Sequence, residues 1–147
     1  MNKLRALHRY LDSRKLVLPE QLDSWANQIY LDQIWKPDLK GMHFANMRYS
    51  AVVVFERFAD DPGRLMALMA SWLEKHDPDR DGLPVLSFAV DMLDNDLADV
   101  EITVEFIEPQ FLAEDPAGEI EAFDKTWSFI PFDLWVAEKG EVGTRGR

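Results

Sequence analysis

The stretch that most constrains the fold is residues 46–58, NMRYSAVVVFERF. Its centre, from Val52 to Phe55, is apolar at consecutive positions, so a strand formed here would be apolar on both faces. Such a strand is typical of the inside of a sheet, where other elements cover both faces. The chain must therefore build a sheet with other elements packed on it, and 147 residues are enough to bury a sizeable core.

Two further stretches have the periodicity of amphipathic helices. The first is residues 2–15, whose apolar stripe consists of Leu4, Leu7 and Leu11. The second begins after Asp61 and Pro62, a carboxylate cap and a proline in the first helical turn. It extends to residue 76, and its apolar side is formed by Leu65, Leu68, Met69, Trp72 and Leu73.

Three stretches are candidates for further strands. Residues 86–92 and 100–106 alternate apolar and polar side chains, which is the period of a half-buried strand. Asp94-Asn95-Asp96 lies between them and predicts a hairpin turn, since these residues tolerate turn dihedral angles. Residues 126–138 are rich in aromatic side chains, and Pro131 among them indicates an edge strand or a bulge.

Residues 22–35 fit either a short helix or a strand. The order of elements is helix-strand-strand-helix-strand-strand with an added C-terminal strand. This order predicts an α+β fold in which two helices pack on a mixed or antiparallel sheet. We expect one domain over residues 1–139 and a flexible C-terminal tail over residues 140–147.

Charge is distributed unevenly along the chain. Residues 77–124 contain fifteen aspartates and glutamates against one basic residue, whereas the first fifteen residues contain five basic residues and one acidic residue. The net charge of −11 is unfavourable for wrapping nucleic acid, because contacts with phosphates require lysine and arginine. A basic beginning and an acidic second half could complement a copy of the same chain. A solvated acidic surface is the alternative interpretation.

The acidic stretch 91–106, DMLDNDLADVEITVEF, does not match a calcium-binding loop. In a loop counted from Asp94, the sixth position requires glycine for a sharp turn, and Asp99 stands there. An acid–base pair of carboxylates is not excluded by the sequence. A hairpin with a polar turn and a polar strand face explains the same cluster without any chemistry.

Other patterns of catalysis and ligation are absent from the sequence. His8, His43 and His76 lack the close spacing of a zinc pair, and the chain has no cysteine. The sequence also contains no nucleophile elbow, phosphate-binding loop or dinucleotide fingerprint. We therefore predict that the protein is not an enzyme and has no catalytic, cofactor-binding or metal-binding residues.

The aromatic residues near the C-terminus allow two interpretations, a strand in the core or an apolar patch covered in an assembly. They are Trp127, Phe129, Phe132 and Trp135. The basic N-terminus is not followed by an unbroken apolar run, and no run of about 18 apolar residues occurs, so we expect neither a signal peptide nor a membrane span. The expected location is the cytosol of the cell that makes the protein.

The middle of the chain resembles the tail completion protein R family of P-two-like contractile-tailed phages. The resemblance covers residues 48–109 and rests on four elements in the same order. They are the strand RYSAVVVFERF, a helix ending in Trp72-Leu73 before Asp77-Pro78-Asp79, a strand with Phe88 that leads into the LDND turn, and a strand from Asp99 to Glu108.

The resemblance implies a structural protein that completes or terminates the tail of a phage or prophage so that a head can join. The order of elements also resembles that of tail terminators, which implies a hexameric ring capping tube and sheath and makes residues 22–35 a strand. The implied partners are further copies of the chain, the tail tube protein, the sheath protein and the head–tail connector or neck protein. No membrane partner is implied, and no nucleic acid beyond DNA passing through the ring. The implied location is the virion tail, and the host cytoplasm during assembly.

In such a ring we expect unlike surfaces of neighbouring copies to meet. The candidate residues are Arg5, Arg9 and Arg14 on the basic side, Asp94, Asp96, Asp99 and Glu101 on the acidic side, and the aromatic residues Trp127 and Trp135. The alternative function comes from another class of protein. It is an acidic decoy that imitates DNA, or an inhibitor that binds a basic host enzyme.

Overall fold

The chain folds into two helices and six strands within residues 1–131, the part that this computed structural model describes. The helices are α1 (Asn2–Ser13) and α2 (Pro62–His76). The strands are β1 (Leu22–Asp38), β2 (Gly41–Phe58), β3 (Ser87–Met92), β4 (Ala98–Glu114), β5 (Ile120–Ala122) and β6 (Lys125–Ile130). They form an antiparallel sheet in the order β1-β2-β4-β6-β5, and β3 also pairs with β4. The predicted α+β fold is confirmed, and the stretch that fits either a helix or a strand is a strand.

The described residues divide into two units, and β1, β2 and β4 each contribute to both. The helical unit consists of residues 4–28 and 50–106, and the hairpin unit contains residues 1–3, 29–49 and 107–131. The helical unit holds most of both helices and the strand pair β3–β4. The hairpin unit holds the tip of the β1–β2 hairpin, the end of β4, and β5 with β6.

In the helical unit, the apolar stripes of both helices are buried together with one face of the sheet. The buried side chains include Leu4, Leu7 and Leu11 of α1, Leu65, Met69, Trp72 and Leu73 of α2, Ala51, Val53 and Phe55 of β2, and Val100, Ile102, Val104 and Phe106 of β4. The rings of Trp72 and Phe106 meet edge to face, with their centroids 6.2 Å apart. On the other face of β2, Val52 is buried but Val54 is half-buried and Glu56 is exposed, so that face is covered only in part and not fully as predicted. Each fully buried aliphatic side chain contributes roughly 2 kcal/mol.

The start of α2 has the predicted cap. The carboxylate of Asp61 accepts a hydrogen bond from the Gly63 amide at 2.9 Å, and Pro62 occupies the first turn. The preceding residue, Asp60, accepts a hydrogen bond from the Asp61 amide at 2.7 Å and pairs with Arg64 at 2.6 Å. The Asp61 amide, and after it the Arg64 guanidinium, hold the pKa of Asp60 below its usual value.

In the hairpin unit, β2 begins in close contact with β4. Gly41 has a φ of +130°, and a Cβ there would overlap the carbonyl oxygen of Leu112. Only glycine fits this position, because any other residue brings both an unfavourable φ and a clash with backbone. On the other side of β4, Phe111 pairs with Ile130 of β6, and Trp127 of β6 pairs with Ile120 of β5.

Besides the longer β1 and β2, which end at Asp38 and begin at Gly41, the observed strands differ from the predicted ones in three places. β4 continues eight residues beyond Phe106 to Glu114, and the short strand β5 was not predicted. β6 was expected to be an edge strand or to contain a bulge because of Pro131, and it is not an edge strand, since it lies between β4 and β5. The strand ends at Ile130, so the proline removes no hydrogen bond from the ladder. Residues 132–138 of the predicted strand and the predicted tail 140–147 lie outside the described residues, and the single domain over 1–139 stays a prediction.

Candidate assembly interface

The turn between β3 and β4 is the acidic hairpin turn that the sequence predicts. Asn95 and Asp96 have φ values of 65° and 59°, in the left-handed region that asparagine and aspartate tolerate. The Leu93 amide donates to the Leu97 carbonyl at 2.8 Å and closes the turn. The carboxylates of Asp94 and Asp96 are exposed to solvent. The turn is therefore a defined loop that presents two negative charges.

The acidic face is the sheet surface formed by Glu56, Asp91, Asp99 and Glu101, which line a depression of about 400 Å³. Asp99 and Glu101 alternate with the buried residues of β4, so they lie on the side of the sheet away from the helices. Asp91 stands directly opposite Asp99 in the β3–β4 register. Like charges in such a pair are destabilising. Asp99 accepts a hydrogen bond from the Arg57 amide at 3.0 Å, which offsets part of this cost.

The basic surface is the outer side of α1 and the residues that follow it. Arg5 and Arg9 are exposed one helical turn apart, on the side opposite Leu7 and Leu11. Arg14 follows the end of α1, and its guanidinium carbon lies 5.8 Å from the ring centroid of Tyr10.

The two charged surfaces lie on opposite sides of the helical unit. α1 covers the sheet face that is not the acidic face, and the Nδ1 atom of His8 on α1 is 2.7 Å from the Ser24 hydroxyl on β1. The predicted basic residues therefore come together on the helix side. The predicted acidic residues come together at the turn and on the acidic face.

The aromatic candidates divide between core and surface. Trp127 is 7% exposed, and its indole N–H donates to the Ala122 carbonyl at 2.9 Å. It packs inside the hairpin unit, which fits the core interpretation, while Phe129 is 47% exposed. Phe132 and Trp135 lie outside the described residues. A role of Trp127 or Trp135 in a subunit contact stays a prediction.

An exposed apolar edge on β1 was not predicted. Ile29, Tyr30 and Leu31 are consecutive and more than half exposed, at 53%, 55% and 61%. β1 is at the edge of the sheet, and no other strand within residues 1–131 pairs with its outer side. An edge of this kind is typical of a surface that a partner covers. No sequence pattern indicates this edge, because exposure depends on which residues the neighbouring elements leave uncovered.

A buried carboxylate at Glu108 was also not predicted. It is 1% exposed and accepts hydrogen bonds from the Asn2 amide at 3.0 Å, the Lys3 amide at 2.9 Å and the Tyr49 hydroxyl. Lys3 also donates through Nζ to the Ile107 carbonyl at 2.8 Å. Because donors already surround its oxygens and solvent does not reach it, Glu108 holds the first turn of α1 in place and is not placed for catalysis.

The described residues contain neither a metal-binding cluster nor a helix suited to a membrane. Within residues 1–131, no group of three or more histidines and carboxylates is placed to hold a metal ion. Neither helix of that range has the length and apolar character needed to cross a membrane. What the geometry offers is a set of charged and apolar surfaces suited to contacts between proteins.

Comparison with known proteins identifies the family. The family model of P2 phage tail completion protein R (GpR) matches residues 1–131. A similar protein is the "Uncharacterized 19.2 kDa protein in rep-hol intergenic region" of Haemophilus phage HP1 (strain HP1c1). It is 28% identical over 110 residues, which cover 71% of this chain and 66% of that protein, just under two thirds of its length. No solved structure matches the chain. The resemblance seen in the middle of the sequence thus extends from residue 1 to residue 131, and the chain belongs to the P2 phage tail completion protein R family of structural phage tail proteins.

Proposed function

We propose that the chain completes the phage tail by forming a ring that caps the tube and sheath and gives the head a surface to join. The observation that carries the proposal is the family match over residues 1–131. The geometry of the helical unit supports it. A closed ring uses heterologous contacts, in which each copy presents one surface to the next copy and a different surface to the previous one. The basic surface on α1 and the acidic face on the far side of the sheet meet that requirement.

The ring that we propose is a hexamer with three further partners. They are the tail tube protein, the sheath protein and the head–tail connector or neck protein. The protein assembles in the host cytoplasm and remains in the virion tail, with no membrane contact. DNA passes through the ring without being held tightly, because a net charge of −11 repels phosphates.

An acidic decoy is less well supported, because several acidic residues are used inside the molecule. Glu108 is buried, and Asp77 is 6% exposed and pairs with Arg80 at 2.7 Å. Asp99 accepts a hydrogen bond from a backbone amide of its own chain. The acidic face does offer the exposed carboxylates that a decoy requires, so it is the family match that favours the tail role.

Charge reversal on α1 tests the contact between copies. We expect the variant Arg5→Glu, Arg9→Glu, Arg14→Glu to remain folded but to need at least about tenfold more protein for half-assembly, since surface ion pairs contribute about 0.5 kcal/mol each. The measurement is the molar mass by light scattering across a concentration series with the tail tube protein present. The matched control is Lys36→Glu, Arg48→Glu, Lys75→Glu, which changes the net charge equally at exposed positions away from α1. Unchanged assembly of the α1 variant would contradict the charge-pairing contact.

A further inference from the structure

A groove at the C-terminal end of α1 has both apolar and cationic walls. It has a volume of about 480 Å³, within the range of pockets that bind ligands of moderate size. Its apolar wall is the segment Leu16, Val17 and Leu18 that connects α1 to β1, and Leu18 is 58% exposed. Its cations are Lys15 and Arg57. Asp12 also lines the groove, so the lining residues carry two positive groups against one negative group.

Both cations of the groove have unusual backbone conformations. Lys15 and Arg57 have φ values of 53° and 50°, in the left-handed region that long side chains seldom adopt. Each such residue costs on the order of 1 kcal/mol and persists only where the surrounding structure holds it. At Arg57 the Asp99 carboxylate does so, by accepting the backbone N–H. At Lys15 the conformation belongs to the end of α1, where a left-handed residue commonly follows the last helical turn, so the backbone fixes the positions of both residues beside the groove.

The β3–β4 turn has the complementary chemistry. Its two exposed carboxylates, Asp94 and Asp96, flank the left-handed Asn95. On the β3 side, Met92 and Leu93 are 65% and 37% exposed, so apolar side chains stand next to the charges. The turn is closed by its own backbone hydrogen bond, so it is ordered before it binds. Less conformational entropy is therefore lost on binding.

In the helical unit, four strands lie in the order β1-β2-β4-β3. The groove and the turn lie at the same end of these strands but towards opposite edges of the sheet. The groove includes Arg57 at the end of β2 and the segment that leads into β1, whereas the turn joins β3 to β4. If neighbouring copies are related by rotation about an axis parallel to the strands, the groove and the turn are at the same height along that axis. The turn of one copy can then face the groove of the next copy. We propose that the groove binds the β3–β4 turn of a second copy of this chain, an inference that rests on the proposed ring.

Charge swapping tests this contact. The variant Lys15→Glu, Arg57→Glu and the variant Asp94→Lys, Asp96→Lys should each raise the concentration for half-assembly by about tenfold or more, and the chain carrying all four changes should return to within about threefold of the original. The control is Asp79→Lys, Asp81→Lys, an equal reversal in another exposed acidic loop. Unfolding midpoints identify any variant that has lost its fold. Failure of the fourfold variant to recover while it remains folded would overturn the contact.

Disulfide trapping gives a second readout, because the chain has no cysteine of its own. A Leu18→Cys chain mixed with a Leu93→Cys chain should form the mixed disulfide at least tenfold faster than Leu18→Cys mixed with Asp81→Cys. A chain that assembles but shows neither this crosslink nor the charge-swap effect overturns the groove contact and leaves the tail role standing. A chain that stays monomeric both alone and with the tail tube protein overturns the groove contact and the ring together.

Discussion

Glu108 shows how one acidic residue in an acidic chain acts inside the fold and not at its surface. A buried carboxylate is costly unless donors compensate for lost water. Here two amides of the first turn of α1 and the Tyr49 hydroxyl are those donors. The helix dipole adds a favourable term, because the carboxylate stands at the N-terminus of α1.

Replacing Glu108 by glutamine should lower the free energy of unfolding by about 2 kcal/mol. Glutamine has nearly the same shape but presents an N–H group to donors that need an acceptor, and it removes the charge at the helix end. Urea unfolding measures the change, with the slope unchanged if only stability is affected. The control is Glu101→Gln on the same strand, where an exposed side chain should change stability by less than about 0.5 kcal/mol. Equal losses in the two variants would show that Glu108 does not hold α1 as described.

Asp61 makes a smaller and more local contribution at the start of α2. Replacing it by alanine leaves the Gly63 amide without its acceptor and should lower the free energy of unfolding by about 1 kcal/mol. Asp79→Ala is the comparison, since Asp79 is exposed and caps no helix. Thermal unfolding distinguishes the two variants, and a cap that contributes nothing would give them the same midpoint.

At the scale of elements, the β3–β4 turn depends on the left-handed backbone of Asn95. Asn95→Val should lower the free energy of unfolding by about 1 to 2 kcal/mol, because a β-branched residue is strained at positive φ. Asn95→Gly should preserve stability to within about 0.5 kcal/mol, since glycine adopts this conformation without strain. Chemical denaturation of both variants provides the measurement. A valine variant as stable as the glycine variant would mean that the turn does not require this backbone.

The elements that the sequence predicted correctly are those whose pattern depends on local chemistry. The stripes of α1 and α2 and the alternation of β4 each show which side faces the core, whereas β3 forms as a strand but has no buried side chain. The end of β4 was not predicted because of Glu108. Glu108 is the next inward-facing residue after Phe106, and a charged residue at that position looks like the end of the apolar pattern. Its buried partners come from distant parts of the chain, so no local pattern could show that the strand continues.

The sequence predicts which residues carry the charges of the candidate surfaces, but it does not predict where those residues lie in the fold. The sequence separated basic from acidic residues, and the structure puts them on opposite sides of the helical unit. The groove could not be predicted, because Lys15 and Arg57 are 42 positions apart and meet only through the fold. Likewise, the exposed apolar residues of β1 resemble core residues until the neighbouring elements are known.

At the scale of the whole molecule, the family places the chain in the phage tail, and the two unlike surfaces suggest how copies meet. Heterologous contacts close into a ring when a whole number of copies completes one full turn of 360°. Otherwise they continue as a filament. For the ring that we propose we expect closure, since a filament would extend the tail and not finish it.

The molar mass of the chain in solution and on the tail tube tests this account most directly. Light scattering after size-exclusion chromatography, with and without the tail tube protein, provides the measurement. Six copies of a 17.0 kDa chain predict a ring of about 100 kDa, formed alone or on the tube end. A species that remains at the mass of one chain at all concentrations, and on tubes that are otherwise complete, would contradict the proposed ring.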